Sequence, residues 1–173
     1  MKLNLGCGNK KKAGFVGVDK FPCDAVDKLA DLNEDLPFDS STVDEIWMDN
    51  VIEHIPDIPR MMKEIHRISK HNARVTIITQ HYSSIASWRD PTHVHHLCYF
   101  SMDHFTKESV AHYIGGGFSI EKRRLSFGGG VMGLMGRIIF SISPKSYEAK
   151  WSFIFRASTL KFILTVNKED ESA

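Results

Sequence analysis

The sequence predicts an α/β domain on a mostly parallel sheet with helices on both faces, and three observations predict it. Short apolar runs recur from the first residues onward, a three/four-spaced helical pattern falls between two of them, and the first run stops on Gly-Cys-Gly. Strands that alternate with connections in this way argue for parallel pairing. The 173 residues suit one domain, residues 1–173, and 42% hydrophobic residues are enough to form its core.

The elements follow in order along the chain. Lys2 to Leu5 is a first strand, Phe15 to Val18 a second that ends on Asp19, Ala25 to Ala30 a weaker third, and Val43 to Met48 a fourth. Ile58, Met61, Met62, Ile65 and Ile68 repeat at helical spacing, with Lys63, Glu64, Arg67 and Lys70 expected outward. Pro59 suits the first turn of that helix. His71-Asn72 stops it, and Val75 to Thr79 is a buried, β-branched strand. Ser101 caps a helix to about Ile114, with Asp103 well placed in its first turn. Gly115 to Gly117 ends it and leads to a strand over Ser119 to Phe127. A helix near Val131 to Phe140 and a last strand from Leu160 to Val166 follow, and Lys168 to Ala173 is a polar, frayed tail.

Composition excludes several classes. A net charge of +1 supplies no strong field for nucleic acid or an anionic membrane. Lysines 10 to 12 are the basic cluster of note, and a solvated loop accounts for them. Cys7, Cys23 and Cys98 are odd in number and irregularly spaced, so neither a disulfide framework nor a zinc site is indicated. The N-terminus lacks the apolar core of a signal peptide, and no run reaches the roughly 18 apolar residues that span a bilayer. The chain is expected to be cytoplasmic.

Four places carry candidate chemistry. In Leu5-Gly6-Cys7-Gly8-Asn9 a strand ends in Gly-x-Gly, which lets a ligand approach the backbone where a Cβ would collide. That edge of a parallel sheet is where nucleotides bind, although a plain tight turn has the same pattern. Asp19 ends the second strand, where an ionised carboxylate can accept from both hydroxyls of a ribose. A turn aspartate before Phe21-Pro22 is its other reading. Asp31-Leu32 can meet an adenine amino group and wall its ring, or form a surface loop. Asp49 to His54 follows the fourth strand and borders whatever fills the cleft.

In this order the motifs LNLGCG, GFVGVD, ADL, LPF-DSSTVDEI, DNVIEHI, EIHRIS and RVTIITQH resemble those of class I S-adenosylmethionine-dependent methyltransferases, over roughly residues 2 to 105. The resemblance implies the Rossmann-like methyltransferase fold, a reduced N-terminal part, and S-adenosyl-L-methionine as cofactor with S-adenosyl-L-homocysteine as product. It implies that Gly6 and Gly8 pass under the methionine part and that Asp19 holds the ribose. Asp31 and Leu32 meet the adenine, and Asn50 and Val51 border the sulfonium. Leu5, Cys7, Asn9, Lys20 and His54 complete the implied cofactor set. Only Asn9 to Gly14 separate the glycine turn from the second strand, too short for the helical crossover usual in that family.

The acceptor side is marked by histidines. His81 follows the fifth strand, and Asp90, His93, His95 and His96 share the next loop. A base with pKa near neutrality assists transfer to a hydroxyl, so His81 or His93, oriented by Asp90, is the expected catalytic group. The loose spacing argues against a metal. The expected acceptor is a small molecule or saccharide. A non-catalytic S-adenosylmethionine-binding module is the first alternative. An NAD-type oxidoreductase is the second, with Lys11 standing where its third glycine belongs. Residues 128–155, rich in glycine and methionine, are expected to form a mobile cover over the acceptor side or a contact with a second subunit, a homodimer.

Overall fold

The computed structural model describes residues 1–106 and 117–168. Seven strands form one sheet: β1 (Lys2–Leu5), β2 (Val16–Asp19), β3 (Lys28–Leu29), β4 (Val43–Asp49), β5 (Ser69–Gln80), β6 (Phe118–Phe127) and β7 (Ala157–Val166). Their order is β3-β2-β1-β4-β5-β7-β6. The first five pair in parallel, and β7 runs antiparallel to both β5 and β6. The predicted mostly parallel sheet with helices is therefore the observed architecture. The chain winds outward from β1 in both directions, so a crevice opens beyond the ends of β1 and β4.

Helix α1 (Ile58–Ile68) explains one side of the sheet. Asp57 caps it by accepting from the Arg60 amide at 2.9 Å, and Pro59 occupies its first turn. Met61, Met62, Ile65 and Ile68 are buried in one core with Leu3, Ile46, Val75 and Phe162. The connections β1–β2, β2–β3 and β3–β4 contain no helix. The opposite side of the sheet accordingly leaves Trp47, Ile78 and Ile163 only half-buried. Lys12 covers the Trp47 ring with its ammonium 3.8 Å from the centroid.

Several boundaries differ from expectation. Helix α1 ends at Ile68, where the Ser69 amide donates to the Ile65 carbonyl, and β5 starts at once. His71 and Asn72 thus lie inside β5, with Asn72 at φ 62° beside a shift in the β4–β5 register. Glu64 does not face outward: its carboxylate is buried, accepting from the Leu36 amide at 2.7 Å and from Arg67 at 2.6 Å. Ser101 is not a helix cap, because its hydroxyl accepts from the Cys98 amide and a short 3-10 turn spans Ser101–Phe105. The remainder of that expected helix, with Gly115 and Gly116, lies outside the described residues, as does the tail from residue 169. A five-residue helix, α2 (Ile85–Arg89), and a longer α3 (Gly130–Ile142) complete the set used below.

Candidate active site

The glycine turn is built by two different constraints. Gly6 has φ +64°, and a Cβ on it would lie 2.5 Å from a Val51 methyl. Gly8 has φ +49°, but a Cβ there would meet nothing within 4 Å. Gly6 is therefore required by the fold, while Gly8 leaves open space above the turn. Asp19 lies against the turn: Oδ2 accepts from the Gly8 amide at 2.9 Å and Oδ1 from the Phe21 amide at 3.1 Å. Each oxygen keeps a second lone pair, so the turn-aspartate reading and a ligand role are compatible.

The neighbouring residues fall along the same sheet edge. Leu5 is in the core, and the buried Cys7 thiol donates to the Ala25 carbonyl, its pKa raised mainly by burial. Asn9 and Lys20 are exposed. Asp31 is exposed and accepts from the Asn33 amide at 2.9 Å, while Leu32 turns into the core. Asn50, at φ 57°, accepts from Gln80 at 2.9 Å and so ties the ends of β4 and β5 together. A strand-end turn, an acceptor carboxylate, an acid beside an apolar wall and a polar amide thus follow one another along the ends of β1 to β5.

A cavity of about 490 Å³ opens beside Asn50 and Gln80, with His54, Arg89, Asp90 and His93 on its walls. His93 Nδ1 faces the Ser87 carbonyl at 2.9 Å, so that nitrogen is the donor and Nε2 carries the lone pair. Asp90 Oδ2 lies 4.0 Å from Nε2. The Thr92 hydroxyl and amide hold the Asp90 carboxyl below its ordinary pKa, so it is the ionised partner of that ring. His54 stacks edge-on to His93 with centroids 4.6 Å apart.

Glu53 lies in the Asp49–His54 stretch expected beside the cleft, but the sequence gives it no role of its own. It is 2% exposed, neither carboxylate oxygen has a hydrogen-bond partner among the described residues, and burial raises its pKa. Ligand atoms of Glu53, His54 and His93 lie within 4.8 Å of one another, a group with the donors to hold a cation. A buried acid in the 3-10 turn Ile52–His54 has no signal of its own in one sequence.

The structure does not bring His81 to this cavity. The ring is fully buried, with Nδ1 2.8 Å from Ser83 Oγ and Nε2 3.0 Å from Glu148 Oε1. Tyr82 reaches the same segment through Ser152 at 2.6 Å. His95 meets the Pro56 carbonyl, and His96 meets Ser87 and stacks on Trp88, and neither ring is on the wall of this cavity.

Residues 9–77 match the family model described as a methyltransferase domain. No curated protein matches the sequence. Among solved structures, an S-adenosylmethionine-dependent methyltransferase from Archaeoglobus fulgidus is similar at 16% identity and TM-score 0.63, over 95% of this chain and 85% of the other. One from Mesorhizobium loti is similar at 15% identity and TM-score 0.56, over 95% and 89%. The [4+2]-cyclase SpnF is similar at 12% and 0.58, over 97% and 75%. Family match and topology agree: residues 9–77 match the methyltransferase-domain model, and the chain has the fold of these S-adenosylmethionine-dependent methyltransferases.

Proposed function

We propose that the chain binds S-adenosyl-L-methionine at the ends of β1 to β4 and transfers its methyl group to a small polar or saccharide-type acceptor in the adjoining cavity. The observation that carries this reading is the Gly8–Asp19 pair: open space above a left-handed glycine, with a carboxylate beside it. When bound, the cofactor supplies a methyl group on a cationic sulfur. Gly6 and Gly8 present bare backbone to it, and Asp19 accepts from ribose hydroxyls. Lys20 and Asn9 flank this strip, Asp31 and Leu32 take the adenine end, and Asn50, Val51 and His54 border the sulfonium end of the cofactor.

The cavity volume suits a small molecule, and its polar walls suit hydroxyl groups. His93 Nε2 accepts the acceptor's proton, and the ionised Asp90 stabilises the imidazolium that results. His81, closed off by Ser83 and Glu148, instead positions the segment that follows α3. That segment lies within residues 128–155, the stretch expected to form a cover or a contact with a second subunit, and Glu148 ties it to His81 just after β5. Three free thiols accord with a reducing, cytoplasmic setting.

Calorimetry with S-adenosylhomocysteine tests the reading. Asp19→Ala removes acceptor bonds worth roughly 1.5 to 3 kcal/mol each and should weaken binding at least about tenfold. Affinity equal to wild type would remove Asp19 from the site. Once an acceptor is found, His93→Gln should lower turnover with cofactor affinity unchanged, whereas tight binding with no turnover on any acceptor would favour a binding module.

A further inference from the structure

Helix α3 is arranged the wrong way round for a helix in water. Its buried positions are Gly133 and Gly136, while Val131, Leu134, Ile138 and Ile142 are 75%, 54%, 46% and 79% exposed. Packing explains the arrangement. A Cβ on Gly133 would sit 1.8 Å from the Gly128 carbonyl oxygen, and one on Gly136 would sit 2.7 Å from the Phe127 ring. Only the glycine face can lie so close, and the large side chains point away. Beyond the next turn Trp151, Phe153 and Ile154 are also exposed, with Phe153 edge-on to Tyr82 at 5.3 Å. A surface helix ordinarily carries polar residues on its outer face, and apolar surface of this extent marks an interaction site.

Charge selects the occupant. The exposed charged side chains of residues 128–156 are Arg137, Lys145, Lys150 and Arg156, all basic. The one acid of the segment, Glu148, is turned inward to His81 and the Tyr99 amide. A two-fold contact between copies would set this patch against itself, cation facing cation with no acid between them. An anionic bilayer answers both features, apolar side chains entering the acyl boundary and cations meeting headgroups. Trp151 is of the residue type that favours that boundary.

We propose that α3 and the turn carrying Trp151, Phe153 and Ile154 form a docking face for an anionic phospholipid bilayer. The chain lies on that surface, and among the described residues no helix is long and apolar enough to cross it. The overall charge of +1 conceals the face, because acids elsewhere in the chain offset its cations.

The test is flotation of the full chain with vesicles of phosphatidylcholine alone and of phosphatidylcholine mixed with phosphatidylglycerol. Wild type should float with the mixed vesicles, less so as salt is raised. Each basic residue near such a surface strengthens binding about fivefold, so the double variant R137A/K150A should bind roughly 30-fold more weakly. The variant L134E/I138E should lose binding while melting as wild type, because both positions are exposed. Failure of wild type to float, or floating of either variant as wild type, would overturn the proposal. So would a dimer in light scattering that L134E/I138E dissociates while vesicles bind nothing, since the occupant would then be a second copy.

Discussion

Glu53 shows at the scale of one residue what the fold does to chemistry. Its carboxyl is buried without a hydrogen-bond partner among the described residues, and burial holds its pKa above the ordinary 4.5. An acid with a raised pKa in the folded state contributes stability that is present below the ordinary value and lost as pH rises through the folded one. Glu53→Gln, neutral at every pH, should therefore melt higher than wild type at pH 8, with the difference shrinking toward pH 4. Thermal scans at the two pH values check this, and a constant difference would mean that Glu53 is already satisfied in its ionised form. Gly6 and Asp19 were legible in the sequence because a strand ending in Gly-x-Gly and a strand ending in Asp each carry a local geometric reason. Glu53 and Glu64 were not, since the groups they interact with are distant in sequence, Thr79 and His93 in one case and the Leu36 amide in the other.

The same contrast recurs between elements. In the glycine turn, Gly6→Ala meets both an unfavourable φ and Val51, a combined cost of roughly 2–4 kcal/mol. Gly8→Ala meets only the φ and should cost about 1–2 kcal/mol of stability. The second substitution should nevertheless weaken S-adenosylhomocysteine binding, by placing a methyl group where the ligand approaches. Urea titration with calorimetry on both variants separates these roles, and equal stability losses would deny the division. Helix α1 was readable because eleven residues repeat its apolar spacing, whereas α2 has five and shows no period. Over the first six residues of β5 the sequence predicts a helix end and a gap. Their pairing begins where Ser69 meets Val43, a long-range contact that local propensity does not encode.

For the whole molecule, the order β3-β2-β1-β4-β5-β7-β6 does the positioning, because it places four separate strand ends beside one crevice. The parallel half was inferable from the alternation of strands and connections. The antiparallel insertion of β7 between β5 and β6 was not, since strand direction within a sheet leaves no mark on the composition of a strand. Nor did periodicity reveal that the β1–β2 connection closes without a helix while the sheet stays in register, with Leu5 beside Val18 and Met48. A ligand that binds the folded chain raises its melting temperature by mass action, so S-adenosylhomocysteine should stabilise wild type in a concentration-dependent way. The most direct test of where it binds is a titration of S-adenosylhomocysteine followed by amide nuclear magnetic resonance. Saturable shifts should concentrate at Gly6, Gly8, Lys20, Asp31 and Asn50, five residues far apart in sequence and aligned at one sheet edge. Absence of shifts at saturating ligand, or shifts confined to residues away from that edge, would contradict a cofactor site at the ends of β1 to β4.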